Sequence, residues 1–171
     1  VQARFRVKNE IGWSPFGVHD YLLKAGVPER PPKPTYVASD ATTITLKILP
    51  STSSNGAPIS TYEIYRDNGD GLTEVATKVT GYDGEATEHQ ITGLTSGNKY
   101  RFATLAINSQ GPSVLSELTI IAAASLPSKP TGLSRYESLT NSTALTLQWS
   151  RVPDSEIPTT GYILEMAKHY G

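Results

Sequence analysis

The chain has 171 residues, a formal net charge of −1 and no cysteine. A net charge near zero is not typical of a nucleic-acid-binding protein, which needs a strongly basic face. The lack of cysteine excludes disulfides, zinc–cysteine sites and thiol catalysis within these residues. No apolar run approaches the roughly 18–20 residues that cross a bilayer, so no membrane span is expected in this segment.

The first 28 residues alternate apolar and polar side chains with the period of a β-strand. This pattern predicts one strand over residues 1–9 and a second near residues 18–25. The polar positions of the first strand form its outer, basic face: Gln2, Arg4, Arg6 and Lys8. The connector 26–34 then carries four prolines and is expected to be stiff and extended.

Seven short strands are predicted in residues 29–126, because alternating runs are separated there by turn-forming residues. In chain order they are residues 33–38, 42–49, 59–66, 72–80, 88–91, 99–108 and 114–123. The segment 67–71, Asp-Asn-Gly-Asp-Gly, indicates a hairpin turn, since Asn and Gly tolerate positive φ. Its oxygens would also suit calcium, but it lacks the spacing and distal Glu of an EF-hand loop, so a plain turn is favoured.

The last segment, residues 127–171, begins in a second proline connector at residues 125–130 and predicts three strands, 131–137, 143–149 and 161–169. Asn141-Ser142-Thr143 is an N-glycosylation sequon between the first two of these strands. Five additional residues in this interval, compared with the preceding unit, favour an exposed loop. An N-glycan at Asn141 is expected if the protein is secreted.

The chain repeats itself about every 100 residues, which indicates an array of equivalent domains. Five residues of the first segment recur 99 positions later: Asn9, Gly12, Ser14, Ala25 and Pro28 match Asn108, Gly111, Ser113, Ala124 and Pro127. Residues 1–28 therefore correspond to the last two strands of one unit, 29–126 to a complete unit, and 127–171 to the first three strands of another. We expect a segment of a longer array, or copies of the chain that complete one another's end units.

Four segments of the middle unit resemble the fibronectin type III family. They are the proline-rich opening Pro31–Pro34, the Gly56–Tyr62 run that starts the third strand, the Leu94–Tyr100 tyrosine corner and the Ala106–Gly111 end of the sixth strand. The resemblance extends over the whole chain when the first and third units are included. It implies tandem seven-stranded, immunoglobulin-like β-sandwiches.

Structural roles for particular residues follow from this resemblance. The Tyr100 hydroxyl is expected to bond to upstream backbone and pin the connection that begins at Leu94. Trp149 stands where the family usually has a tryptophan in the second strand, whereas the middle unit has Ile48. A core around Ile48 needs bulk from another side chain. Three aromatic residues could supply it: Tyr62, Tyr65 and Phe102.

The repeats, with their Gly12–Phe16 turn, are also similar to repeats of giant surface or ciliary proteins of ciliates. Val1 occupies the corner-tyrosine position of the first unit, so that corner is lost or is displaced by a residue or two. Trp13 and Phe16 have two interpretations. They form a protein-binding contact, or, as we favour because Pro15 lies between them, they pack against the proline connector or a neighbouring unit.

No residue pattern indicates an enzyme, and no cofactor or metal is expected. The histidines, His19, His89 and His169, fall in three different units. The resemblance implies a structural and adhesive spacer in an extracellular filament or cell-surface protein, with other proteins or copies of the chain as partners. The alternatives are a specific protein-binding module and an intracellular array associated with the cytoskeleton or the axoneme.

Overall fold

The computed structural model describes residues 2–22 and 24–167, so Val1 and His169 lie outside the described residues. Its strands are β1 (Gln2–Ala3), β2 (Asp20–Tyr21), β3 (Thr35–Ser39), β4 (Ile44–Lys47), β5 (Ile59–Arg66), β6 (Thr77–Lys78), β7 (Glu88–Ile91), β8 (Lys99–Asn108), β9 (Gly111–Pro112), β10 (Thr119–Ala122), β11 (Ser134–Arg135) and β12 (Leu147–Gln148). One 3₁₀ turn covers Glu137–Leu139. The predicted all-β class is confirmed.

Two antiparallel sheets face each other in the middle unit. One has the order β3-β4-β7, and the other has the order β10-β8-β5-β6, with β9 paired to the end of β8. Strands β5, β7 and β8 have the bounds expected from their alternating side chains. The sandwich forms because alternation gives each sheet one apolar face, and two such faces bury each other.

The core lies between β4 on one sheet and β5 and β8 on the other. Its fully buried large side chains include Ile44, Leu46, Ile64 and Phe102. Ile48 is 4% exposed and joins the same cluster, so an aliphatic residue fills the position where tryptophan was expected.

Phe102 and Tyr62 supply the missing bulk around Ile48, and Tyr82, which the sequence pattern did not single out, adds to it. Tyr65 does not contribute. It shares the outer face of β5 with Glu63, and its hydroxyl donates to Glu63 Oε2 at 2.7 Å. The prediction for Tyr65 was therefore wrong, because odd and even positions of this strand face opposite sides of the sheet.

The hairpin expected between residues 66 and 72 is a longer loop. Pairing resumes only at β6, whose Lys78 lies opposite Tyr65. Asp67 turns inward to Arg101, and the Asp70 carboxylate accepts hydrogen bonds from the Leu72 and Thr73 amides. These contacts fold the chain before it can rejoin the sheet, and they shorten the predicted strand 72–80.

The strands of the first and third segments are also shorter than predicted. Between residues 2 and 22, ladder pairing is limited to β1 and β2, with one further bridge between Lys8 and Trp13. Residues 161–167 form no strand. In the middle unit the equivalent strand β5 is held by β8 on one side and β6 on the other. Since strands are stabilised by cross-strand pairs, alternation alone does not produce one.

Candidate interaction surfaces

Tyr100 pins the connection between the two sheets of the middle unit. Its ring is buried, and the Thr95 amide donates to its hydroxyl oxygen at 2.8 Å. Leu94, also buried, donates its amide to Thr42 O at 3.0 Å. Gly69 covers the ring so closely that a Cβ there would lie 2.7 Å from it. The ring and its hydroxyl are thus fixed independently.

Replacing Tyr100 by phenylalanine is expected to lower the free energy of unfolding by about 1–2 kcal/mol, because the Thr95 amide loses its acceptor while the ring remains. Guanidinium unfolding followed by far-UV circular dichroism would measure the change. Tyr36→Phe is the matched control, since the Tyr36 ring is exposed and its hydroxyl makes one long contact within the described residues, to Ser39 Oγ at 3.4 Å. Equal effects of the two changes would show that the Thr95 bond contributes no stability.

The two carboxylates of the Asp67–Gly71 segment accept hydrogen bonds from other groups of the protein. Asp67 is fully buried and accepts a hydrogen bond from Arg101 Nε at 2.7 Å. Hydrogen bonds from the Thr73 hydroxyl and amide and from the Leu72 amide hold the pKa of Asp70 well below its ordinary value. Among the residues that the structure describes, no three acidic, histidine or cysteine side chains are grouped to hold a metal ion.

The first segment is a hairpin held by a few specific hydrogen bonds. The Asn9 side-chain oxygen accepts from the Ile11 and Gly12 amides at 2.9 and 3.0 Å and fixes the turn. Ser14 donates its amide to Val7 O at 2.9 Å, and its hydroxyl oxygen accepts from the Val7 amide at 3.1 Å. These bonds set which side chains of the two chain segments lie next to each other.

The same bonds recur 99 positions later in the middle unit. Ser113 donates to Ala106 O at 2.8 Å and accepts from the Ala106 amide at 3.0 Å. Asn108 accepts from the Gln110 amide at 2.8 Å, as Asn9 does from Ile11. The sequence match between the two segments therefore corresponds to one shared backbone arrangement.

Two aromatic rings of the first hairpin lie against a row of cations. Arg4 Cζ is 4.1 Å from the Phe16 ring centroid, and Arg6 Cζ is 4.8 Å from Phe16 and 4.4 Å from Trp13. Lys8 Nζ is 5.6 Å from the Trp13 centroid. We call these five residues the cation–aromatic face. The rings thus meet the basic residues that follow β1. Packing of Trp13 and Phe16 against the proline connector or a neighbouring unit stays a prediction.

Hydrogen bonds fasten the first connector to the middle unit at what we call the first junction. The Gly26 amide donates to Asn55 O at 2.9 Å, and the Asn55 side-chain amide donates to Val27 O at 2.8 Å. Asn108 Nδ2 donates to Gly26 O at 2.8 Å. At Gly56, a Cβ would lie only 2.7 Å from Lys24 O. The connector is therefore seated against this loop.

A second junction repeats this contact at the other end of the middle unit. Ser125, 99 residues after Gly26, donates its amide to Glu156 Oε2 at 2.8 Å. The Ser155 hydroxyl donates to Ser125 O at 3.3 Å. The Ser125 amide is the largest influence that holds the pKa of Glu156 below its ordinary value. Here a carboxylate takes the place that a backbone carbonyl occupies at the first junction.

The second junction is expected to loosen in acid. Because the pKa of Glu156 is depressed, its bond to Ser125 is present above the ordinary carboxyl value, 4.5, and is lost as pH falls through the lower, folded value. The Ser125 amide proton, followed by NMR, should titrate with a midpoint below 4.5. Glu156→Gln should abolish this titration. A midpoint at or above the ordinary value would contradict the prediction.

In the third segment, Trp149 packs on Tyr162 with ring centroids 5.7 Å apart and remains 40% exposed. The Tyr162 hydroxyl oxygen accepts from the Val152 amide at 2.8 Å, as that of Tyr62 accepts from Ser51 at 3.1 Å. The third segment therefore repeats a contact of the middle unit, in which a loop amide donates a hydrogen bond to a tyrosine hydroxyl.

Asn141 is exposed, and its side-chain oxygen accepts from the Thr143 amide, the Thr143 hydroxyl and the Ala144 amide, each at 2.9 Å. Asp40 makes the equivalent turn in the middle unit. The 3₁₀ turn Glu137–Leu139, which contains no buried residue, precedes this loop. In the described residues, no helix has both the length and the apolar character needed to cross a membrane.

The chain is similar to fibronectin type III domains of known proteins. A family model for the fibronectin type III domain matches residues 30–121, more than half of the chain. The solution structure of the fourth FNIII domain of a human protein is 22% identical, with a TM-score of 0.54, and the match covers 68% of this chain and 95% of that one. The crystal structure of titin domains A168–A170 is 21% identical, with a TM-score of 0.52, over 58% of this chain and 33% of that chain. The chain thus spans a third of the titin structure.

Proposed function

The chain belongs to the fibronectin type III family, and from this we propose that it is a non-catalytic structural and adhesive spacer within an array of such units, in an extracellular filament or cell-surface protein. The two junctions carry the proposal. Each fastens a proline connector to the loop after the second strand, through Gly26 and Asn55 in one case and Ser125 and Glu156 in the other. Such bonds restrict bending, so that consecutive units keep a defined spacing and direction.

Distances between spin labels on neighbouring units test this function. The chain has no native cysteine, so Ile11→Cys and Thr92→Cys, both at exposed positions, place one label on each side of the first junction. A restricted junction predicts one narrow distance distribution. A broad distribution in the otherwise unchanged protein would contradict the spacer function.

Gly56→Ala should broaden this distribution, because its Cβ would meet the Lys24 carbonyl and displace the connector. Gly71→Ala is the matched control. Gly71 has a φ of 74°, comparable to the 91° of Gly56, but an added Cβ there meets no atom within 4 Å. Equal broadening by both changes would attribute the effect to backbone strain rather than to the junction.

The exposed Asn141 loop supports the extracellular part of the proposal. If the chain passes through a secretory pathway, Asn141 is expected to carry an N-glycan. Secretion from eukaryotic cells followed by glycosidase treatment and mass measurement would detect it. Asn141→Asp is the suitable control, since Asp40 makes the same turn in the middle unit and the carboxylate cannot be glycosylated. A secreted chain without glycan would show that Asn141 is not an acceptor and would remove this support for the extracellular location.

The second candidate function is a specific protein-binding module. The cation–aromatic face favours it, because arginine and tryptophan are enriched among the residues that dominate binding energy at protein interfaces.

A further inference from the structure

The cation–aromatic face presents three positive charges without a carboxylate partner among the described residues. The ion pairs of the described residues lie elsewhere in the chain, at Lys78–Glu63, Arg101–Asp67, Arg135–Glu137 and Arg151–Asp154. Arg4, Arg6 and Lys8 are all exposed, and they occupy alternate positions of the segment that leads from β1 to the Lys8–Trp13 bridge. Each of the three lies against the Phe16 ring, the Trp13 ring or both.

The middle unit makes the equivalent turn without these charges and rings. The positions equivalent to Arg4, Arg6 and Lys8 in the middle unit, 99 residues later, are Ala103, Leu105 and Ile107. Those apolar residues accompany the same serine and asparagine hydrogen bonds. Trp13 and Phe16 likewise correspond to a proline and a leucine. The first unit therefore differs from the middle unit in this face while keeping its backbone framework.

Stacking makes the row suited to binding anions. A guanidinium that lies over an aromatic ring keeps the N–H groups at its edge free, and it is weakly hydrated compared with an ammonium group. Its side chain is also held in place before binding, which reduces the entropy lost when a ligand is bound. Two residues along a strand span about 6.6–6.8 Å. An extended peptide with a carboxylate at every second residue has the same repeat.

We propose that the cation–aromatic face binds an extended acidic segment of a partner protein, with carboxylates at alternate residues paired to Arg4, Arg6 and Lys8. Arginine and aromatic residues together are typical of protein interfaces. Nucleic-acid bases, in contrast, use open ring faces for stacking. Here Phe16 and Trp13 each have two cations within 6 Å of the ring centroid. This inference specifies the partner of the binding-module function and does not depend on the spacer function.

Calorimetric titration of the full chain with a peptide of alternating Glu and Thr, about twelve residues long, tests the proposal, since carboxylates then recur at the strand repeat. At an ionic strength of about 0.15 M, the Arg4→Gln/Arg6→Gln variant should bind at least about tenfold more weakly. Arg135→Gln, which removes an exposed arginine outside the face, should bind as the unchanged chain does. No binding by the unchanged chain, or equal losses in both variants, would overturn the proposal.

Two further variants distinguish binding from misfolding. Arg6→Lys keeps the charge but loses the planar group, so an intermediate affinity is expected. Glu10→Gln removes a negative charge two residues beyond Lys8 and should raise the affinity about twofold, a gain that misfolding would not produce. An unchanged affinity in Glu10→Gln together with full affinity in Arg6→Lys would contradict binding at this face.

Other anions serve as competing ligands in the same titration. A sulfated oligosaccharide, a single-stranded oligonucleotide or vesicles with anionic lipid, matched for charge, should each bind more weakly than the alternating peptide. Tighter binding by any of them would overturn the assignment to an acidic protein segment.

Weaker binding of a peptide with the same number of glutamates in one block would support the alternating arrangement, and equal binding would contradict it. None of these results depends on inter-unit distances, so this proposal and the spacer function can fail separately.

Discussion

Replacing Asp67 by alanine is expected to lower the free energy of unfolding by about 3 kcal/mol, because the Arg101 guanidinium, whose side chain is 25% exposed, loses its carboxylate and two backbone amides lose their acceptor. The Asp67 side chain is fully buried. It accepts the Arg101 Nε at 2.7 Å and the Arg101 and Gly69 amides at 3.1 Å each. Alanine would leave all three donors without this acceptor.

The unfolding free energy of the Asp67 variants is best measured with guanidinium and far-UV circular dichroism, because both tryptophans, Trp13 and Trp149, lie outside residues 29–126. Glu63→Ala is the matched control. It breaks an ion pair with Lys78, whose side chain is 57% exposed, and should cost about 1 kcal/mol or less. Asp67→Asn should fall between the two. If Asp67→Ala cost no more than Glu63→Ala, the buried pair would not stabilise the loop.

The second large effect is expected in the core. Phe102→Ala should lower the free energy of unfolding by about 3–5 kcal/mol through the lost burial of the ring and the cavity left behind. Phe102 is fully buried, packs 6.3 Å from the Tyr100 ring centroid and belongs to the cluster around Ile48. Because Ile48 is smaller than the family's usual tryptophan, Phe102 contributes bulk to this cluster together with Tyr62 and Tyr82, and it is the fully buried residue of the three.

Phe102→Leu keeps most of the volume and should cost about 1.5 kcal/mol or less. Leu72→Ala is the surface control, since this residue is 89% exposed and its removal should change stability by no more than about 0.5 kcal/mol. The same denaturant series would measure all three variants. A loss in Phe102→Ala no larger than that in Phe102→Leu would mean that the core collapses around the missing ring.

The units share backbone hydrogen bonds but differ in particular side chains. The hairpin bonds of Ser14 recur at Ser113, and the turn made by Asp40 recurs at Asn141, so the backbone framework is common to the units. Three features that differ lie on surfaces: the cation–aromatic face, the carboxylate at the second junction and the sequon. A fourth lies at a core position, where the middle unit has Ile48 and the third segment has Trp149. Under the proposed function, the common framework would serve the spacer role, and the cation–aromatic face would give the first segment its binding role.

Much of the fold could be read from local patterns. Alternation predicted β5, β7 and β8 residue for residue, because their side chains lie half inside a sandwich with period two. Glycine and asparagine marked the turn at residues 67–71, but not its length. That length depends on Arg101, which is 34 residues away in the sequence from Asp67.

The interaction surfaces were only partly predictable. The sequence indicated that Arg4, Arg6 and Lys8 share an outer face and singled out Trp13 and Phe16, but it did not show that the rings lie among these cations. That placement depends on the hairpin register set by the Ser14 and Asn9 hydrogen bonds. Neither junction gave a periodic signal, since Gly26 meets Asn55 and Ser125 meets Glu156 across a loop.

By itself, the sequence determined the all-β class and the family resemblance, because alternating strands and family motifs depend on residues close together in the chain. Only the tertiary structure decided that Phe102, Tyr62 and Tyr82 complete the core around Ile48, that Asp67 is committed to Arg101, and that the connectors are hydrogen-bonded to the middle unit. The physical reason is the same in each case. Burial and pairing energies depend on which distant residues meet, and local periodicity fixes only the direction in which a side chain points.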